Sequence, residues 1–167
     1  MKVLITGKTG QLGYELQQTT PEGVEVFAYG SAELDISNAD AVNQVIQTIQ
    51  PNLVINAAAY TAVDKAENDE QSAFAVNAKG PEYLAQACQT INARLIHVST
   101  DFVFDATKNT PYDTSDKTNP LGVYGASKLA GCKAISEYHP SNSVIIRTSW
   151  VYSSHGNNFV KTMLRLM

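Results

Sequence analysis

The sequence predicts an α/β fold, a parallel sheet doubly wound by helices on both faces. Short apolar runs rich in strand-forming residues alternate along all 167 residues with stretches of helical period. The segments between successive runs are long enough to hold the crossover helices that parallel neighbours need. The first run also leads directly into three glycines at a three-residue spacing and then a helix, an arrangement suited to cradling phosphate.

Each element follows from its own residues. Val3, Leu4 and Ile5 make the first buried strand; Gly7, Gly10 and Gly13 follow, while Leu12 and Leu16 set a helical period. In such a turn the first glycine permits an unusual backbone angle, the second lets a pyrophosphate approach the main chain, and the third lets the helix lie against the strand. The unpaired N–H groups at the helix start, with the positive end of its dipole, then face the phosphates. Pro21 to Gly23 is a turn, Val24 to Tyr29 a second strand ended by Gly30 and Ser31, and Glu33 to Ile36 a short extended piece. Ser37 with Asp40 reads as a helix cap; Val42, Val45, Ile46 and Ile49 mark one face of that helix, and Pro51 closes it.

Leu53 to Ala59 is the third strand, ending in three alanines that leave room for a ligand. From Asp69 to Ile91 the period is helical, with a kink at Gly80 and Pro81, and Arg94 to Ser99 is the next strand. Asp105 to Gly122 is rich in Asp, Thr, Asn and Pro and has no period, so it is a long surface loop of the kind that carries function. Tyr124 to Tyr138 is a helix, Ser143 to Trp150 a strand, and Asn158 to Met167 the start of another helix. Parallel sheets of this type gather ligands beyond the carboxyl ends of their strands. Gly7, Gly30, Ala57 to Ala59, Ser99 to Asp101 and Trp150 all fall there.

The chain fits one domain. Hydrophobic residues make up 44% and charged residues 17%, an ordinary globular balance. A net charge of −4 and the absence of a basic cluster argue against nucleic acid or an anionic membrane as the main partner. Cys88 and Cys132 sit in helical patterns and read as reduced thiols of a cytoplasmic protein. His97, His139 and His155 lie apart from one another and from both cysteines, so no metal site is expected. The apolar start breaks at Gly7, too short for a signal peptide, and no run approaches a membrane span.

Tyr124 and Lys128 stand four apart and share one helical face. A neighbouring ammonium favours tyrosinate and so lowers the phenol's pKa from about 10 toward the working range of a proton-transfer catalyst. Thr100, at the end of a strand, supplies a hydroxyl to the same oxygen, and the trio would polarise and protonate a carbonyl. By itself Tyr-x-x-x-Lys is also an ordinary helix-surface pair. The order of glycine turn, Ser99-Thr100, long loop, then Tyr124 and Lys128 sets it apart.

Several segments carry a specific resemblance: Gly7-Lys8-Thr9-Gly10-Gln11-Leu12-Gly13, Leu34-Asp35-Ile36, Asn56 to Glu67, Ser99 to Phe104, Tyr124 to Gly131, and Arg147 to Tyr152 followed by Gly156-Asn157-Asn158-Phe159. Together they resemble the nucleotide-binding part of the extended short-chain dehydrogenase/reductases, which have a Rossmann-like fold. Within them the chain is most similar to the branch that completes dTDP-L-rhamnose synthesis. The resemblance implies an NAD(P)H-dependent oxidoreductase in which nicotinamide delivers hydride to the C4 ketone of a dTDP-linked 4-keto-6-deoxyhexose, dTDP-4-dehydro-L-rhamnose. It implies that Tyr124 donates the proton, Thr100 hydrogen-bonds the ketone oxygen, and Lys128 binds the nicotinamide ribose while lowering the tyrosine's pKa. Gly7, Gly10, Gln11 and Leu12 match the pyrophosphate turn, and Asp35 and Ile36 the adenine pocket. Ala57, Ala58, Ala59, Tyr60 and Thr61 match the stretch along the cofactor's inner half. Asp101, Phe102, Val103 and Trp150 would border the sugar beside Thr100 and Tyr124. Asp35 also reads as a capping carboxylate and Trp150 as a core residue, while Asn77 either positions a water or bridges the helix kink.

Phe102 stands where the family usually has tyrosine, Ala106 where glycine is common, and Cys132 where a glutamate usually follows the Tyr-Lys helix. No acid ends the second strand where a ribose 2′-hydroxyl needs one. Lys8 either meets a 2′-phosphate or is solvated, so NADPH is the favoured cofactor, with NADH accepted also. Family members continue into a carboxyl-terminal lobe that completes the sugar pocket, so residues 1–167 read as a dinucleotide-binding domain without that substrate lobe. A homodimer is open on this reading. Two other readings stand beside it: a non-catalytic NADP-binding regulatory subunit of the same fold, and another nucleotide-sugar reductase or epimerase.

Overall fold

The apolar runs become β1 (Lys2–Thr6), β2 (Glu25–Tyr29), β3 (Leu53–Asn56), β4 (Arg94–Thr100) and β5 (Ser143–Thr148). In the computed structural model, which describes residues 1–167, they form one sheet in the order β2-β1-β3-β4-β5 with every pair parallel. Each crossover is helical, as parallel neighbours require. The helices are α1 (Gln11–Gln18), α2 (Ala39–Ile49), α3 (Val63–Ala66), α4 (Glu70–Phe74), α5 (Gly80–Ile91) and α6 (Val123–Tyr138), with α7 (Phe159–Leu166) after the last strand. The chain steps from β1 outward to β2 and then returns past β1 to β3. The winding therefore reverses between β1 and β3, and a crevice opens at their carboxyl ends.

Register decides which residues share a face. Leu4 pairs with Val54 and Val54 with Leu95, and this row packs against Val42, Ile46 and Ile49 of α2, Leu84 and Cys88 of α5, and Ile135 of α6. Each fully buried Leu or Ile here contributes roughly 1.5–3 kcal/mol. Two residues further along the same face the row is Thr6, Asn56 and His97, entirely polar and entirely buried. On the other face α1 lies against β2. Ile145 packs on the core, so Val144 and Ile146 point to that other face, where both are exposed.

The elements differ from expectation at their ends. Residues 31–33 form a turn and Leu34 and Ile36 are buried without regular structure, so Glu33 to Ile36 is not extended. Asn38, not Ser37, caps α2, its Oδ1 accepting from Ala41 N–H at 3.0 Å. The Ser37 hydroxyl donates to Asp35 Oδ1 at 2.7 Å instead. The third strand stops at Asn56, whose own side chain accepts the N–H of Ala58 at 3.2 Å and draws the chain out of the ladder. The fifth stops at Thr148, because Trp150 takes a φ of 53° that no strand tolerates.

The kink in the long helix lies one turn earlier than Gly80 and Pro81. Pro81 offers no N–H and its ring crowds the carbonyl of Asn77, and the chain widens into a π-helical turn over Ala75–Lys79 before α5 resumes. The short α3 had no sequence signal of its own. No helix is long and apolar enough to cross a membrane.

Candidate active site

The glycine turn is built by close approach. Gly7 has φ 76°, and a Cβ there would stand 2.7 Å from the backbone nitrogen of Ala58. At Gly13 a Cβ would stand 2.1 Å from the carbonyl oxygen of Gly7, so only glycine lets α1 start this near β1. Gly10 caps α1 with no side-chain hydrogen bond, which leaves the first N–H groups of the helix open to the crevice. Far along the chain, Asn158 Nδ2 donates to Gln11 Oε1 at 2.9 Å and the His155 ring stacks on Tyr14 with centroids 4.0 Å apart. The loop before α7 is thereby tied to the start of α1.

From this turn a cleft of about 790 Å³ runs along the carboxyl edge of the sheet. Gly7, Gly10, Gln11 and Leu12 line one part, Asp35 and Ile36 another, and Ala57, Ala58, Ala59, Tyr60 and Thr61 the middle. Thr100, Asp101, Phe102, Tyr124, Lys128 and Trp150 line the far end. Val103 does not reach it. The residue belongs to the 3-10 turn Asp101–Val103 and is wholly buried, which removes it from the sugar-bordering set. Trp150 is 73% exposed and stands edge-on to Phe159, so it is not a core residue.

At the far end the hydroxyl of Thr100 acts on the phenol of Tyr124, favouring its ionised form. Thr100 Oγ1 also donates to Asp101 Oδ1 at 3.1 Å and accepts from Phe102 N–H at 3.2 Å, which fixes its rotamer. The Phe102 ring meets Tyr124 edge-on at 5.7 Å. Contrary to expectation, the phenol's pKa is raised: burial dominates, the Thr100 hydroxyl opposes it, and the Asp101 charge adds to it. Lys128 has no part in that balance, since its Nζ donates to Val98 O at 2.7 Å and lies 3.5 Å from His97 Nε2. Burial draws Lys128 itself down to about 8.

Asn77, in the π-helical turn, bridges and does so from a buried position. Tyr60 N–H donates to its Oδ1 at 2.9 Å, while its Nδ2 donates to Tyr60 O at 3.0 Å and to Ser127 Oγ at 3.1 Å. The residue thereby fixes the segment after β3 against α6. At the other end, Asp35 is exposed to the cleft and its Oδ1 accepts from both Ser37 N–H and hydroxyl, so its lining position and its turn-capping bonds coexist. Lys8 is not simply solvated. It pairs with Glu33, whose Oε2 accepts the N–H of Gly30 at 2.9 Å, so a carboxylate does stand at the end of β2 by folding back from three residues on.

Val76, Thr148 and Ser149 also line the cleft, Ser149 Oγ donating to Asp101 Oδ2 at 2.8 Å. Thr148 and Ser149 fall within the matched segment Arg147 to Tyr152, whereas Val76 had no cue beyond its helical period. The buried row Thr6, Asn56 and His97 did have one: three polar residues at positions where the strand pattern faces the core.

Residues 1–167 match the RmlD substrate binding domain family. The dTDP-4-dehydrorhamnose reductase of Aggregatibacter actinomycetemcomitans is 48% identical over 99% of this chain and 56% of its own length. That of Escherichia coli K12 is 45% identical over 99% of this chain and 56% of its own. The chain thus spans about half the length of the curated relatives it matches. Among solved structures, the dTDP-4-dehydrorhamnose reductase of Clostridium acetobutylicum superposes with a TM-score of 0.96 at 45% identity, over 99% of this chain and 59% of that one. The Bacillus anthracis enzyme, in complex with NADP, also gives 0.96, at 44% identity over the same shares. A match that runs from the first residue to the last, on so closely shared a backbone, places this chain in the RmlD substrate binding domain family.

Proposed function

We propose that this chain forms the dinucleotide-binding domain of an NADPH-dependent reductase that converts dTDP-4-dehydro-L-rhamnose to dTDP-L-rhamnose, NADH serving also. The observation that carries this is the hydroxyl pair of Thr100 and Tyr124 with Lys128 at one end of the cleft whose other end is the glycine turn. A dinucleotide fits that cleft. The backbone at Gly7 and Gly13 admits no side chain, the N–H groups of α1 face it, and the three alanines after β3 keep its middle shallow.

Bound there, the cofactor supplies the hydride. Gly7, Gly10, Gln11 and Leu12 receive the pyrophosphate, Asp35 and Ile36 the adenine, and Ala57 to Thr61 with Lys128 the inner half. Thr100 and Tyr124 meet the ketone oxygen, Thr100 by turning its hydroxyl proton from Asp101 to that oxygen and Tyr124 as the source of the proton. Asp101, Phe102 and Trp150 border the sugar. Since the curated relatives are nearly twice as long, a substrate lobe outside residues 1–167 closes the sugar pocket on this reading. The cytoplasm is the proposed location, supported by the biosynthetic chemistry alone.

The test is NADPH oxidation on dTDP-4-dehydro-L-rhamnose by a chain of the relatives' length. Tyr124→Phe should lower kcat by roughly 100- to 10,000-fold, the usual worth of a general acid, with NADPH affinity unchanged. A wild-type protein that binds NADPH but oxidises none would point to the regulatory-subunit reading instead.

A further inference from the structure

A buried polar chain leads beneath the cleft to Lys128, and its members fix one another's protons. The N–H of Ala58 can only donate, and it meets Asn56 Oδ1 at 3.2 Å; the Thr6 hydroxyl donates to the same oxygen at 2.7 Å. The amide is thereby oriented, and Asn56 Nδ2 donates to His97 Nδ1 at 3.0 Å. A ring nitrogen that accepts carries no proton, so neutral His97 has its single N–H on Nε2. Complete burial keeps His97 neutral, its pKa well below the ordinary value.

That Nε2–H faces Lys128 Nζ at 3.5 Å, while Nζ donates to Val98 O at 2.7 Å. An ammonium would set N–H against N–H there. An amine keeps one N–H for Val98 and offers its lone pair to His97. The other titratable groups near Nζ are Cys132, one turn on in α6, which favours the ammonium, and Tyr124, one turn back. Burial favours the amine and outweighs Cys132, which agrees with a lysine drawn down to about 8.

We propose that Asn56 and His97 are positioning residues that shift Lys128 toward the neutral amine, and that a bound dinucleotide shifts it back, its nitrogen then taking a proton from solvent to become the ammonium beside the nicotinamide ribose. Hydrogen bonds from the ammonium to the ribose hydroxyls favour that protonation. The inference deepens the role given to Lys128 above. Neither Asn56 nor His97 lines the cleft, so each acts only through the lysine.

The experiment is NMR on the labelled chain without cofactor. Ring nitrogen shifts should report the Nε2–H tautomer of His97; an Nδ1–H tautomer overturns the proposal, and this arm needs no variant. The Lys128 side chain should titrate with a midpoint near 8, and an ammonium that persists past pH 10 overturns it. In Asn56→Asp the carboxylate must accept, which reverses the tautomer and turns Nε2 into an acceptor for the ammonium. The Lys128 midpoint should then rise by about one unit, tenfold in its acid constant, and an unchanged midpoint removes His97 from the route. Calorimetry with NADPH at pH 9 in buffers of different ionisation enthalpy should show uptake of close to one proton; none overturns the binding step. The NMR arms involve no turnover, so their failure leaves the reductase reading intact, and a failed turnover assay leaves them intact.

Discussion

Glu33 reaches back to the lysine of the glycine turn, and through it has a say in which dinucleotide the cleft prefers. While Lys8 is paired with Glu33, a 2′-phosphate must compete for it. Glu33→Gln removes the competing charge and keeps an acceptor for Gly30 N–H. An ion pair this open to solvent is weak, so the ratio of NADH to NADPH dissociation constants should rise roughly threefold. Lys8→Ala should lower the same ratio, both read by fluorescence titration. His97 sets a pH dependence of a different origin. Its folded pKa lies below its unfolded value near 6.5, so its contribution to stability is complete above that pH and is lost as pH falls toward the folded value. Between pH 6.5 and 5, before carboxylates titrate, unfolding free energy should fall by up to about 1.4 kcal/mol per pH unit, and His97→Gln should flatten that slope. At this scale the sequence showed which residue types sit at the strand ends, and Gly7, Thr100, Tyr124 and Lys128 all line the cleft. It hid how protons and charges are shared: the raised phenol of Tyr124 and the Lys8–Glu33 pair both depend on burial and on contacts made across the chain.

Among elements, α6 approaches the π-helical turn almost as closely as α1 approaches the glycine turn. A Cβ on Gly131 would stand 2.2 Å from the carbonyl oxygen of Asn77, and Gly125 faces the carbonyl of Phe102 at the same 2.2 Å. Gly131→Ala must push α6 off the turn that holds Tyr60, at about 1–3 kcal/mol, an overpacking cost. Thermal unfolding should drop by several degrees and NADPH binding should weaken with it. Gly10→Ala is the contrasting case, since its Cβ would meet only Gly7 O at 3.4 Å, and its melting temperature should stay close to wild type. All five strands and the long helices were readable, because period and punctuation belong to the sequence itself. Their ends were not: Asn56 breaks its strand with its own side chain, Trp150 by its φ, and Pro81 displaces its strain a turn upstream. Such local competitions leave no period to detect.

For the whole molecule the telling feature is asymmetry. One face of the sheet is sealed by α2, α5 and α6, while the β5 end of the other shows Val144 and Ile146, both exposed; Val160 and Leu164 of α7 are exposed as well. An apolar area of this kind seeks cover. The 167-residue polypeptide should therefore self-associate at micromolar concentration by light scattering and bind a hydrophobic dye, and Val144→Thr with Ile146→Thr should reduce both. The parallel winding was legible from the alternation of runs; which side stayed bare was not, since it depends on where each crossover lands. The tie between Asn158 and Gln11 spans 147 positions, and that between His155 and Tyr14 joins the same two stretches. A nascent chain on the ribosome therefore carries its phosphate fingerprint well before the clasp that steadies it. Dinucleotide can assist folding only after synthesis has passed Asn158.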